Sequence, residues 1–271
     1  MPVQRSHAWD PPQASSDPGF SRSLERGLAI LSSFTPGRTA LGISELSREL
    51  SLTRRTTRRY AAALAQLGYL RHDDLTRTYR LGPRVLDLSF SMPGSLELRE
   101  IAAPHLRRLT SITGHTSNLA IRDDTDVILI DRVHSRPGRY HHLEFTLHAG
   151  SSLPAYCTAT GKALLAFLPR PDLDRLLDRI DLIQRGPRTL TTKAALLTEL
   201  TQVRGTGIAV NDEELDSALR SIAAPIRSQS GEVIAAINIA IPWSPAAISE
   251  LITQHAPVIQ ATARRISAQL T

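Results

Sequence analysis

The 271-residue chain has a single cysteine, Cys157, so neither a disulfide framework nor an array of zinc fingers can account for its fold. Of its 32 basic residues only Lys162 and Lys193 are lysines, a ratio that reflects a GC-rich genome more than any chemical requirement. The first twenty residues are rich in Pro, Ser and Gln and carry no apolar run. Nothing resembles a signal peptide, a membrane span or a lipidation signal, and the expected location is the cytoplasm, with no membrane partner. Acidic residues are missing from one stretch in particular, Ser51 to Leu70, where Arg54, Arg55, Arg58 and Arg59 fall within six positions.

At about 100° per residue these four arginines occupy an arc of roughly 140°, with Tyr60, Leu64 and Leu67 gathered opposite. The segment therefore reads as an amphipathic helix. Its polar face lacks the usual mixture of signs. Arg54 with Arg58, and Arg55 with Arg59, are like-charge i,i+4 pairs that each cost a few tenths of a kcal/mol, and cations in a first turn oppose the helix dipole. Such a face calls for an acidic partner. The charge balance says where that partner binds: from Ser21 to Arg84 twelve arginines stand against five acidic residues, a net of +7, whereas Val85 to Thr271 is neutral with nineteen of each sign. Localised excess of this kind is the electrostatic footprint of nucleic-acid binding.

The surrounding pattern supplies a scaffold. Residues 1–20 lack periodicity and are expected to be a disordered tail. "SLERGLAILSSF" places Leu24, Leu28, Ile30 and Leu31 at helical spacing with Ser23 as N-cap, and "ISELSRELSL" follows as a short helix with Ser44 as N-cap. The arginine helix comes after a turn of about three residues, the order of a helix-turn-helix whose second helix enters the major groove. "GYLRHDDLTRTYRLG" then reads as a hairpin, or wing. Residues 21–82 are thus a winged helix-turn-helix, and 83–94 a linker helix. From 95 to 271 helices alternate with strands rich in β-branched residues at "HTSNLAIRD", "DVILIDRVHS", "YHHLEFTLH", "GIAVN", "LRSIAAPIRS" and "GEVIAAINIAIP". This is an α+β effector-binding and oligomerisation domain close to a GAF or PAS-like sensor fold.

On the recognition helix, guanidinium groups suit guanine O6/N7 or phosphate, so Arg54, Arg55, Arg58 and Arg59 are the DNA-binding candidates. Thr56 and Thr57 project toward the apolar side, where core packing competes with DNA contact. Arg77 and Tyr79 on the wing are candidates for phosphate or minor-groove contact, set against plain solvent exposure.

"SLERGLAIL", "ISELSRELSLTRRTTRRYAAALAQLGYL" and "YRLGPRVLDL", followed by "LPAYCTATGKALLAFLP" and "GIAVNDEELDSALRSIAAPIRSQSGEVIAAINIA", resemble the IclR family of bacterial transcriptional regulators from Ser21 to about Leu270. The Leu-Pro-Ala-Tyr-Cys-Thr and Asp-Glu-Glu-Leu runs are similar to the subgroup regulating protocatechuate, 4-hydroxybenzoate and β-ketoadipate catabolism. The resemblance implies a pocket for a small organic acid, with a loop contribution from Ala159, Thr160 and Gly161, side chains at Asn211, Ser221 and Asn238, and Phe145 and Tyr156 on an apolar wall. Family members often carry a small polar residue where this chain has Ala240. It also implies a homodimer or a dimer of dimers on double-stranded operator DNA, with the apolar face of the first helix and the linker around Leu86 and Leu88 as contact surfaces.

Other constellations point elsewhere with less support. His134, His141, His142 and His148 with Asp131 and Glu144 have no recognised metal-ligand spacing, and His141 and His142 fall on opposite faces of a strand. No metal or cofactor is expected. Cys157 lacks a His and carboxylate to activate it, and reads as a packed thiol. Two rival functions remain open at this point: a constitutive DNA-binding protein without effector, and a small-acid enzyme with a basic N-terminal module.

Overall fold

A computed structural model of the protein describes residues 19–35, 37–90, 95–135, 147–242 and 244–270, the side chains at 89, 90 and 95 excepted. Two compact units divide the chain, residues 1–93 and 94–271. In the first, α1 (Arg22–Ser32) starts at Ser21, whose hydroxyl accepts the Leu24 N–H, rather than at Ser23. Ala29 and Ile30 face the core, and Leu24 and Leu28 lie exposed. The helix thus carries apolar residues on two sides, with Leu28 roughly 160° from Ile30 at helical pitch.

Helix α2 (Ile43–Glu49) begins at Gly42, whose N–H donates to Glu45 Oε2 at 2.8 Å, so Ser44 lies inside the helix and not at its cap. The turn through Leu50–Thr53 leads to α3 (Arg54–Gln66), capped by Thr53 Oγ1 accepting the Thr56 N–H. Thr57 and Ala61 form its buried side, Tyr60 and Leu64 are half-buried, and Leu67, expected on the apolar face, is the exposed C-cap. Gly68, at φ 80°, turns the chain out of the helix. Strands β2 (Leu70–Asp73) and β3 (Thr78–Leu81) form the wing, and β1 (Leu41–Gly42), too short to show any alternation, adds a third strand in the order β1-β3-β2. Ile30, Phe34, Leu41, Leu46, Ala61, Leu70 and Tyr79 make this unit's core. Helix α4 (Arg84–Phe90) follows.

The second unit opens with α5 (Ser95–Thr113) and is built on a six-stranded antiparallel sheet: β4 (Thr116–Asp123), β5 (Asp126–Val133), β6 (Ser152–Pro154), β7 (Ala209–Asp212), β8 (Leu219–Arg227) and β9 (Val233–Pro242), in the order β6-β5-β4-β9-β8-β7. The expected strand "YHHLEFTLH" falls almost wholly outside the described residues, as do His141, His142, Glu144 and Phe145. Alternation in β9 sorts the two faces. Ile237, Ile239 and Ile241 pack with α5 and the last helix, α9 (Ile248–Ser267). Ala236, Asn238 and Ala240 face the other way, toward the layer of α6 (Ala159–Leu165), α7 (Arg170–Leu177) and α8 (Lys193–Thr206). Small side chains on that face, with Ser221 and Ala223 of β8 beside them, leave room between sheet and helices.

Candidate functional site

The first candidate site is the outer surface of α3 and the wing. Arg54, Arg55, Arg58 and Arg59 are exposed. Among the described residues the first three make no ion pair or side-chain hydrogen bond. Arg59 is tethered instead: its Nη2 donates to Tyr60 Oη at 3.2 Å, its guanidinium lies 5.0 Å from the centre of the Tyr60 ring, and the phenol donates on to Ser23 Oγ of α1 at 3.1 Å. Thr56 is half-buried with Oγ1 2.9 Å from Thr53 Oγ1, and Thr57 is fully buried. On the wing, Asp73 Oδ1 accepts the N–H groups of Leu75 and Thr76 at 3.0 and 3.1 Å, bonds that hold the Asp73 carboxyl below the usual range, the Thr76 backbone bond foremost. Arg77 is exposed at the turn in a left-handed conformation, φ 53°.

Tyr79 is not on the wing surface. It sits in the central strand of the small sheet, paired with both β1 and β2, 7% exposed, with its ring 4.7 Å from the His72 ring and tilted 46° to it. Two residues that the sequence reading passed over take the outward positions. Arg71 and Arg80 are register partners, both exposed, so the wing too carries a like-charge pair. Their alternation with Leu70, Tyr79 and Leu81 was the signal.

The second site is a cavity of about 30 Å³ between the sheet and α6. Three neighbouring strands deliver one polar row, Arg132 (β5), Asn118 (β4) and Asn238 (β9), in direct register. Arg132 Nη1 donates to Asn118 Oδ1 at 2.7 Å, and Asn118 Nδ2 donates to Asn238 Oδ1 at 2.7 Å. Arginine cannot accept, so the direction of the whole row is fixed and it ends in the Asn238 amide N–H groups. A second row holds Asn211 (β7), Ser221 (β8) and Ala240 (β9). The Glu214 N–H donates to Asn211 Oδ1 at 2.8 Å, which again leaves an amide nitrogen for the cavity. Thr158 and Thr160 add hydroxyls, and Leu129, Leu147, Leu153, Leu215 and Leu219 form the apolar side. The polar end is donor-rich and cationic, the chemistry that suits a carboxylate.

Of the positions implied earlier, Thr160, Asn211, Ser221 and Asn238 line this cavity together with Ala240. Tyr156 is buried beside it with its hydroxyl committed to the Ile183 carbonyl at 2.6 Å and approached by Arg185 Nε at 3.2 Å. Ala159 packs into the core, and the Gly161 N–H is taken by its own N-cap, Thr158 Oγ1, at 3.1 Å. That helix start therefore spends the Gly161 donor internally. Burial pushes the Cys157 thiol up to about 12, which leaves it un-ionised and inert. Among the described residues no three His, Cys, Asp or Glu side chains gather as a metal site, and no helix is long and apolar enough to cross a membrane.

An arginine-faced helix-turn-helix with a wing, joined in one chain to a sheet domain that encloses a donor-lined cavity, defines a ligand-responsive DNA-binding transcriptional regulator. Family models agree in both parts: residues 23–74 match the IclR helix-turn-helix domain and residues 91–268 the bacterial transcriptional regulator IclR C-terminal domain, and the chain belongs to the IclR family. It is 35% identical over 270 residues to the Pca regulon regulatory protein of Pseudomonas putida, covering 99% of this chain and 89% of that one. The crystal structure of a transcriptional regulator from Rhodococcus sp. RHA1 is similar at 36% identity, with a TM-score of 0.75 over 93% of this chain and 98% of the other. An IclR homologue of Microbacterium hydrocarbonoxydans complexed with 4-hydroxybenzoate gives 26% identity and a TM-score of 0.77 over 92% and 98%.

Proposed function

We propose that this regulator senses a small aromatic or dicarboxylic acid in the cavity and controls catabolic genes through it. The observation that carries the reading is the one-way row Arg132–Asn118–Asn238, which presents hydrogen-bond donors to the cavity. The relatives' names and the 4-hydroxybenzoate complex of the Microbacterium homologue support the aromatic half of the reading. The acid's carboxylate pairs with the donor row, and its ring or chain lies against the leucines.

On the DNA side, Arg54, Arg55 and Arg58 contact bases or phosphates in the major groove, and Thr56 packs at the edge of the contact. Arg77, Arg71 and Arg80 hold the backbone from the wing. Tyr79 supports the wing from within. The protein acts in the cytoplasm, by binding and not by turnover, as a homodimer or a dimer of dimers. Exposed Leu24 and Leu28 of α1 and Leu86 and Leu88 of α4 supply apolar surface for the dimer contact.

The test is fluorescence anisotropy on operator duplex selected from a random pool, with protocatechuate, 4-hydroxybenzoate and β-ketoadipate added in turn at several salt concentrations. At least one acid shifts the operator affinity, and Arg132→Leu abolishes the shift. Affinity that ignores every acid overturns the sensing reading, and affinity that ignores salt overturns the DNA contacts.

A further inference from the structure

Lys162 is buried to 1% exposure and yet is absent from the cavity lining. Its ammonium lies 2.5 Å from Glu214 Oε1 and 3.0 Å from Glu199 Oε1. The three side chains come from three places: α6, which brings Thr160 to the cavity; α8; and the turn after β7, between the cavity residues Asn211 and Leu215. Glu214 is held by its backbone as well. Its N–H donates to Asn211 Oδ1 at 2.8 Å, and its carbonyl accepts from Thr189 Oγ1 at 2.5 Å and from the Gly186 N–H at 2.9 Å. Gly186 permits this approach, since a Cβ there would lie 2.1 Å from the Glu213 carbonyl oxygen. One residue thus joins a buried ammonium to a cavity amide.

The pair is a poor source of stability. Burial raises the Glu214 carboxyl above its ordinary range in spite of Lys162, so desolvation outweighs the attraction, and Glu214 Oε2 is buried with no hydrogen-bond partner among the described residues. Replacing both partners of such a pair by well-packed neutral groups is commonly neutral or stabilising, whereas removing one leaves the other uncompensated. A buried pair whose gain in stability is small, one residue from the cavity lining, calls for another role.

We propose that Lys162 and Glu214 are positioning residues of the effector site. By clamping the turn that follows β7 against α6 they hold the Asn211 amide N–H toward the cavity, and so set acid affinity without touching the acid. The inference rests on the acid-sensing reading of the cavity.

Glu214→Gln, an isosteric change, tests it. The variant is expected to melt below the wild-type temperature, because the buried Lys162 ammonium keeps only Glu199, and to bind operator duplex normally without acid at temperatures where it is folded. The responsive acid among protocatechuate, 4-hydroxybenzoate and β-ketoadipate should bind it roughly tenfold to a hundredfold more weakly, the loss of one oriented hydrogen bond to a charged group. In a double-mutant cycle with Asn211→Ala the two losses should not add. Wild-type acid affinity in Glu214→Gln, additive losses, or a fall in operator affinity matching the fall in acid affinity would each overturn the proposal. Amide hydrogen exchange separates it from the function it rests on. If the wild type binds none of the acids, the sensing reading fails, and faster exchange at residues 211–216 in Glu214→Gln still reads the clamp; unchanged protection there refutes it.

Discussion

An arginine side chain can only donate hydrogen bonds, and in this protein that single property orients both sites. In the cavity it fixes the direction of the Arg132–Asn118–Asn238 row. On α3 it means that Arg54, Arg55 and Arg58, which have no acceptor among the described residues, find relief in an outside anion. Replacing Arg55 by Ala should therefore weaken operator binding and lower the slope of log affinity against log salt by about one if the contact is to phosphate. A base contact would instead relax preference at one position of the site, which binding to a mutated-operator panel detects. Arg59→Ala is expected to act differently, since Arg59 anchors Tyr60 and through it Ser23 of α1. The core responds in another currency: Leu46→Ala, at a fully buried position, should lower unfolding free energy by about 2 to 5 kcal/mol in urea titration, and the half-buried Leu64→Ala by clearly less. The α3 arginines were legible in the sequence because charge along one helix is a local pattern. Arg132 and Asn118 were not, because nothing local says that residues fourteen positions apart stand in register across two strands.

At the scale of elements, the helices were the readable part and the short strands the unreadable one. β1 and β6, of two and three residues, are too short for period-two alternation to exist. Helix α1 shows a different limit: with apolar residues on two sides its periodicity declares a helix but not which side is covered. The wing gives a prediction in which two measurements move in opposite directions. Arg71 and Arg80 face each other across β2 and β3, an arrangement that destabilises a sheet by a few tenths of a kcal/mol. Arg71→Glu creates an opposite-charge pair there, and should raise the urea midpoint of the isolated variant slightly while reducing operator affinity. A fall in both would mean that the pair is structural. In the second unit, His255 of α9 is buried 5.2 Å edge-on from the His115 ring, and burial holds its pKa below the ordinary imidazole range. The unfolded chain then binds a proton more readily than the folded one. Stability from this residue is present above about pH 6.5 and lost as pH falls toward the depressed folded value. His255→Leu should flatten that segment of a pH series of urea titrations.

At the scale of the whole molecule, the two sites are useful together only through a free energy of coupling, and that coupling has a consequence that no single-site variant tests. If the acid changes operator affinity by some factor, operator DNA must change acid affinity by the same factor, because both follow from the same four states. The acid's affinity is therefore expected to differ between free protein and saturated complex by the ratio that anisotropy gives for the operator with and without acid; calorimetry on both forms measures it. Glu214→Gln should weaken acid binding to both forms alike and leave the ratio intact, because the clamp it removes orients a cavity amide. Substitution within α4, between the two family domains, should do the reverse, changing the ratio while leaving acid affinity of the free protein near wild type. Unequal ratios at equilibrium would show that a third species takes part, and the concentration dependence of both titrations would identify it as a change in oligomeric state.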